Sequence, residues 1–251
     1  MKIVVIGGTG LIGSKLVQRL RDDDEEVVAA SPLTGVNSVT GEGLDEAMAG
    51  ASVVVDVANS PVFDDDGVLG FFRASGRNLI EAEKKAGVRH HVVLSIVGTE
   101  RLQGSGYMRA KMEQENIVRT SGIPFTIVHS TQFFEFMGGI ADSGMQGGRI
   151  HLSPAMMQPI SSEDVADALA EVALGRPANT TVEIAGPDTA SVFDVVTAYM
   201  RKSNDTREVV VDNHATYFGA VLEHMSLVPG EAARLGPTRF RTWLETVEPR
   251  N

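Results

Sequence analysis

The stretch Ile3-Val4-Val5-Ile6-Gly7-Gly8-Thr9-Gly10-Leu11-Ile12-Gly13 decides the fold. Four β-branched apolar residues in a row predict a short buried strand. The glycines after them predict a tight turn. Ile12, Leu16 and Leu20, at steps of four, predict an amphipathic helix over residues 10–21. Gly7, Gly10 and Gly13 form a G-x-x-G-x-x-G spacing. In such a strand–turn–helix unit the first glycine makes the turn. The second lets backbone approach a pyrophosphate, and the third lets the helix pack close on the strand. The phosphates then meet the free N–H groups of the helix N-terminus. Thr9, Leu11 and Ile12 belong to the same turn, so residues 7 and 9–13 are the expected cofactor cradle.

Outward from this unit the pattern repeats. Val27–Ala30, Val53–Val57, Val92–Ile96 and Pro124–His129 are further short, nearly continuous apolar runs, as parallel strands covered on both faces require. Helical spacing fills residues 68–86 and 107–121. Alternating strand and helix predicts an α/β fold, a doubly wound parallel sheet of Rossmann type. From about residue 130 the pattern loosens. A helix is expected at 162–175, a strand at Thr181–Ala185, a helix over Asp188–Met200, a strand at Glu208–Val211, and helices at 214–226 and 238–247. No repeat or linker divides the chain. The expectation is one domain over residues 1–251, with about 130–251 contributing a small substrate-binding lobe.

The composition excludes several classes. With 22 Lys+Arg against 33 Asp+Glu the net charge is −11, which argues against nucleic acid as a partner. Cysteine is absent, so disulfides, thiolate metal sites and a cysteine nucleophile are excluded together. There is no run of apolar residues long enough for a membrane span, and Met1–Ile6 lacks the shape of a signal peptide. A cytoplasmic protein with no membrane partner and no metal is expected.

Downstream motifs carry a resemblance. Asn78-Leu79-Ile80-Glu81-Ala82, then Ala86-Gly87-Val88-Arg89-His90-His91-Val92-Val93-Leu94-Ser95, and later Ser161-Ser162-Glu163-Asp164-Val165-Ala166, follow the glycine turn in order. With that turn they resemble the short-chain dehydrogenase/reductase superfamily in its atypical, NmrA-like branch, over most of the chain to about residue 200. The resemblance implies NAD(P) as cofactor. It implies Asp45 near the adenine, and Ala58 and Asn59 near the second ribose. The adenosine ribose is read at the end of the second strand, here Ala29-Ala30-Ser31-Pro32. Ser31 can hydrogen-bond a ribose. No Asp or Glu stands there, and no Lys or Arg occurs between Arg21 and Arg73. A 2′-phosphate wants a guanidinium fork, and only Lys15 is at hand, so the cofactor leans to NAD.

Ser95 closes a strand, Tyr107 follows twelve residues later, and Lys111 four after that. On a helix, residues four apart share a face, so Tyr107 and Lys111 are expected to point together toward the strand end carrying Ser95. An ammonium beside a phenol lowers its pKa. A serine hydroxyl can orient a substrate oxygen. The three form a proton donor and acceptor for a carbonyl/alcohol pair, with Lys111 also gripping the ribose.

His129 ends the next strand and is a candidate substrate contact, either as a proton donor or as a structural residue. Gln132, Phe133 and Phe134 follow it as candidate pocket walls. With Phe63, Phe71 and Phe72 they suggest a small apolar or aromatic substrate. His90 and His91 begin their strand and read as surface and packing residues. Asp64-Asp65-Asp66 reads as a solvated turn or a helix cap rather than a metal site.

The leading functional reading is an NAD(P)-dependent oxidoreductase for a small apolar carbonyl, enone or quinone-like compound. The alternatives are an NmrA-like dinucleotide-sensing regulator without catalysis, and a tailoring enzyme of aromatic natural products, including hydroquinone oxygenation. A homo-oligomer is left open.

Overall fold

The computed structural model describes residues 1–249. In chain order the elements are β1 (Lys2–Ile6), α1 (Leu11–Asp22), β2 (Glu26–Ala30), α2 (Leu44–Met48), β3 (Val53–Asp56), α3 (Asp65–Ala86), β4 (His90–Ile96), α4 (Gly106–Arg119) and β5 (Phe125–Ser130). Then come α5 (Met137–Ser143), β6 (Met145–Gln146), β7 (Arg149–Leu152), β8 (Met156–Met157), α6 (Ser162–Leu174), β9 (Thr180–Ala185), β10 (Ala190–Ser191) and α7 (Val192–Lys202). The last are β11 (Val209–Val211), β12 (Thr216–Tyr217), β13 (Ala220–Val221), β14 (Arg234–Leu235) and α8 (Phe240–Leu244).

Seven strands form one parallel sheet in the order β14-β9-β5-β4-β3-β1-β2. The chain leaves β1 toward β2 on one side and returns to β3 on the other. That reversal opens a crevice at the carboxyl ends of β1 and β3, where ligands bind in such sheets. Pleat alternation assigns the faces. Ile3, Val5, Val53, Val55 and Val92 pack under α1 and α6, while Val4, Ile6, Val54 and Val93 face α2, α3 and α4. Both faces are covered, which is why these strands read as continuous apolar runs.

The expected strands and helices up to residue 175 form within a few residues of their predicted bounds. Asp64 caps α3 by accepting from the N–H of Gly67 at 2.9 Å, the cap reading of the aspartate run. The C-terminal part differs. Residues 214–226 are not a helix: β12 and β13 pair antiparallel there, with Tyr217 opposite Ala220. The turn residues Phe218 and Gly219 have φ of 46° and 88°, as a two-residue hairpin turn demands. A phenylalanine there carries strain of about 1–2 kcal/mol. The helix predicted from Asp188 starts only at Val192, because Ala190 and Ser191 pair with β8. The helix predicted over 238–247 is confined to α8. The short α2, α5 and β6–β8 carry no strong periodicity and lie outside the predicted elements.

His90 and His91 are not at the surface, being 3% and 1% exposed. His91 Nδ1 meets Glu83 Oε1 of α3 at 2.8 Å, and His90 Nε2 meets Thr126 Oγ1 at 2.9 Å. Among the described residues no helix is long and apolar enough to cross a membrane.

Candidate active site

The glycine turn lies at the switch point. Gly7 has φ +79°, and a Cβ there would stand 2.9 Å from the backbone N of Ala58. The turn after β1 and the chain leaving β3 are therefore in backbone contact, so Ala58 and Asn59 lie beside the cradle. A Cβ at Gly13 would overlap the carbonyl oxygen of Gly7, which fixes how closely α1 approaches. Gly10 caps α1 without a side-chain hydrogen bond, and the first turn holds no acidic residue. Thr9, Gly10 and Leu11 are exposed, whereas Ile12 and Gly13 are buried. Bare N–H groups at the end of a twelve-residue helix suit a pyrophosphate.

A second observation at the same edge points to a ligand. The hydroxyl of Ser31, at the end of β2, is buried without a hydrogen-bond partner. Gln132, just past β5, is 6% exposed and both atoms of its carboxamide are unpartnered. Buried polar atoms are normally satisfied. A dinucleotide across this edge would offer ribose hydroxyls to Ser31 and polar groups to Gln132, so the residues present fit it.

Asp45 is displaced from its expected place. It sits in the first turn of α2 and pairs with Lys85 at 3.7 Å, near the far end of α3 from the site. The resemblance placed it near the adenine, but α2 runs down toward the amino edge of the sheet. The segment before α2 stays closer: the Ser75 hydroxyl of α3 donates to Ser38 Oγ at 2.8 Å. Lys15 is bonded to Glu163 of α6 and is not free for a 2′-phosphate.

Tyr107 stands in the first turn of α4. Its hydroxyl donates to Asn59 Oδ1 at 2.8 Å, and its ring lies 6.2 Å from those of both Phe63 and Phe72. Burial pushes its pKa up to about 12, against a smaller lowering by the Asn59 bond, so the phenol is protonated at neutral pH. Lys111, one turn on, is 3% exposed. Its ammonium donates to the Leu94 carbonyl at 2.8 Å and to Gln114, and lies 4.6 Å from the Phe72 ring centroid. Gln114 in turn donates to Asp56 Oδ2 at 2.7 Å. Burial lowers the Lys111 pKa to about 8, with Asp56 and Glu115 pulling the other way.

Ser95 does not join them. Its hydroxyl donates to Glu115 Oε1 at 2.6 Å, and His129 Nε2 meets the same oxygen at 2.8 Å. The pleat explains this. Ser95 shares the face of Val93, and His129 that of Ile127, both under α4; the two residues are neighbours across β4 and β5. Arg119 reaches the other oxygen of Glu115 at 3.3 Å. Burial raises the Glu115 pKa, but the bonds from His129, Ser95 and Arg119 outweigh it and leave it lowered. Glu115, Gln114 and Asp56 thus form a buried polar layer that the sequence reading missed. The spacing Lys111-x-x-Gln114-Glu115 could have signalled it, since polar residues occupy the buried face of an otherwise amphipathic helix.

Phe133 packs against the α1/α6 core, and its ring lies 5.1 Å from that of Phe136. Phe134 is fully buried against Phe240 and Trp243. Phe134 is therefore core rather than pocket wall.

A doubly wound parallel sheet with a glycine turn at its switch point and unpartnered polar groups along that edge defines a Rossmann-type dinucleotide-binding protein. The sequence pattern of the NAD(P)H-binding family matches residues 7–175, and the chain belongs to that family, with NAD(P) as cofactor. It is 33% identical over 144 residues to a (4-alkanoyl-5-oxo-2,5-dihydrofuran-3-yl)methyl phosphate reductase of Streptomyces griseus subsp. griseus, covering 52% of this chain and 48% of that one. It is 28% identical over 153 residues to the photosystem II assembly factor Ycf39 of Cyanophora paradoxa, covering 55% and 48%. The chain thus spans about half the length of the curated relatives it matches. Among solved structures it superposes on MoeE5 in complex with UDP-glucose and NAD, with TM-score 0.73 at 18% identity, over 98% of this chain and 97% of that one. It also superposes on the UDP-glucose 4-epimerase of Thermus thermophilus with NAD, with TM-score 0.67 at 17% identity, over 90% and 92%. These two share the fold.

Proposed function

We propose that the chain is an NAD(P)-dependent reductase of a small, apolar, conjugated carbonyl, enone or quinone-like compound. The observation that carries the reading is Tyr107: a protonated phenol held by Asn59 beside the glycine turn, among aromatic rings. The reductase activity of the Streptomyces relative supports it, as does that relative's oxo-dihydrofuran substrate. Residues 7 and 9–13, Ser31, Ala58 and Asn59 would hold the dinucleotide, and Gln132 its polar end or the substrate. The residues from about 130 onward would supply the substrate lobe.

Bound NAD(P)H supplies a hydride from nicotinamide C4. The chain's own part is the proton. Where negative charge would develop on the carbonyl oxygen under reduction, Tyr107 Oη would give that oxygen its proton, and the phenolate left behind would take one back from solvent. With its pKa pushed up to about 12, Tyr107 keeps its proton at neutral pH and has it to give to a far more basic alkoxide-like oxygen. Lys111 does not touch the phenol; it holds the Leu94 carbonyl and Gln114 beneath it and is a positioning residue.

The test is Tyr107→Phe. NAD(P)H oxidation with a panel of enones and quinones is expected to fall by about 10²-fold or more, the usual range for a lost general acid, with cofactor affinity unchanged. Turnover near wild type would overturn the reading.

A second reading is favoured by one observation. Neither Ser95 nor Lys111 is directed at Tyr107, which suits a dinucleotide-binding protein without turnover, and two relatives are assembly factors. Such a protein would keep full function in Tyr107→Phe.

A further inference from the structure

The hairpin β12–β13 carries a second phenol. Tyr217 is 8% exposed, and its ring is part of the C-terminal apolar cluster with Leu102, Met108 and Leu222. Tyr107 packs against that same cluster. The hairpin is pressed onto the loop that leads into α4: a Cβ at Gly104 would stand 3.3 Å from Ala220 Cα and 3.4 Å from the Gly219 carbonyl oxygen. The hairpin turn and the loop that enters α4 are therefore held together, and Tyr217 and Tyr107 border one apolar cluster.

The hydroxyls of the two differ. Tyr107 Oη has Asn59 as its acceptor, while Tyr217 Oη makes no hydrogen bond among the described residues. The Tyr217 hydroxyl is not fully enclosed and has no partner to give up, so it can donate to a molecule bound beside it. Burial pushes the Tyr217 pKa well up, and charge on Tyr107 pushes it further, so the two phenols sense each other. Next to them stand exposed rings. Phe63 is 68% exposed and lies 6.2 Å from Tyr107; Phe218 is 46% exposed and lies 4.8 Å from Tyr217. Its turn position holds Phe218 at positive φ.

A carbonyl accepting a proton from one phenol gains from a second donor on the same oxygen. The Ser95 hydroxyl is committed to Glu115 and cannot be that donor. We propose that Tyr217 takes its place: its hydroxyl donates to the substrate oxygen that Tyr107 protonates, while Phe63 and Phe218 flank a flat conjugated substrate. The inference rests on the reading of Tyr107 as proton donor.

The experiment uses 4-(dimethylamino)cinnamaldehyde, whose absorption moves to the red when its carbonyl accepts a strong hydrogen bond. It is titrated into the full chain saturated with NAD+, so that no hydride is available. The wild type is expected to bind and red-shift the dye. Tyr217→Phe keeps the ring and its packing. It is expected to lose most of the shift and at least tenfold in dye affinity, with NADH affinity unchanged. An unchanged spectrum and affinity in Tyr217→Phe overturns the proposal, and so does a wild type that never shifts the dye. Tyr107→Phe in the same titration separates the two readings. If it leaves the shift intact while Tyr217→Phe removes it, Tyr217 is the donor and the Tyr107 reading fails; the converse removes Tyr217 alone.

Discussion

Ser95 and His129 share one acceptor: Oγ of the first and Nε2 of the second meet the same carboxylate oxygen of Glu115, at 2.6 and 2.8 Å. They are paired across β4 and β5, and α4 closes over them. What spacing alone suggested as a substrate-orienting serine is one leg of a buried tripod under the helix that carries Tyr107.

Ser95→Ala is therefore expected to leave kcat within about threefold and to cost about 1 kcal/mol of stability, the worth of one hydrogen bond. Glu115→Gln is expected to cost about 1–3 kcal/mol, since its single carbonyl oxygen serves Ser95 and His129 while its NH2 faces the Arg119 guanidinium in place of an acceptor. Urea unfolding monitored by circular dichroism measures both. A hundredfold loss of kcat in Ser95→Ala at full stability would return the serine to the reaction.

Gly10→Val should abolish cofactor binding while sparing the fold, because residue 10 is exposed and only the Gly7 carbonyl, 3.3 Å from its Cβ site, is near. Calorimetry should show at least a tenfold loss, about 1.4 kcal/mol. Gly13→Ala should lower Tm as well, since its Cβ overlaps Gly7 backbone. With Lys15 held by Glu163 and no other cation in residues 22–72, NADH should bind no worse than NADPH. A tenfold preference for NADPH would contradict this.

Reduction should show an alkaline limb near pH 8 that belongs to Lys111, not to Tyr107. Burial brings the Lys111 ammonium down to about 8 and takes the phenol up to about 12. Loss of the lysine proton removes a charge that holds Leu94 and Gln114. In Lys111→Arg, which stays charged, the limb should move above pH 9; a limb fixed at 8 would assign it elsewhere. The pH profile of kcat/KM reads this.

The paired histidines at the amino edge should give stability a maximum in pH. His90 is lowered from 6.5 to about 4 by burial and by His91. It therefore binds more protons unfolded than folded between those values, and stability falls as pH drops through that window. Burial also pushes His91 down, but Glu83 outweighs it and leaves its pKa above 6.5. Its contribution is full below 6.5 and is lost as pH rises through its folded value. Denaturation midpoints in His91→Gln should lose the alkaline decline, and those in His90→Gln the acid one.

The dinucleotide half was legible because its signals are local. β1, the turn and α1 are consecutive, and the apolar runs of β2 to β5 need only burial on both faces. The site was legible in its residue types and less so in their directions. Alternation along His91, Val93 and Ser95 already places the serine on the α4 face, yet spacing to Tyr107 drew it toward the helix start. Tyr217 was hidden by a wrong element: residues 214–226 are expected as a helix, whereas Phe218-Gly219 is a turn pair. Asp45 was placed by resemblance, and only the direction of α2 reveals that it lies at the other end of α3.

Two residues, Arg234 and Leu235, stand between β9 and open solvent. Without β14 the sheet would present a row of unpaired N–H and C=O groups, a template on which another chain can add a strand. The tether that keeps it in place is polar: Arg234 binds Glu171, and Thr238 gives its N–H and hydroxyl to Asp164 at 2.9 and 2.7 Å. An exposed ion pair of this kind weakens as salt screens it. The closing strand thus acts as a salt-sensitive guard on the sheet's border, and self-association under high ionic strength should begin there before the nucleotide-binding half loosens.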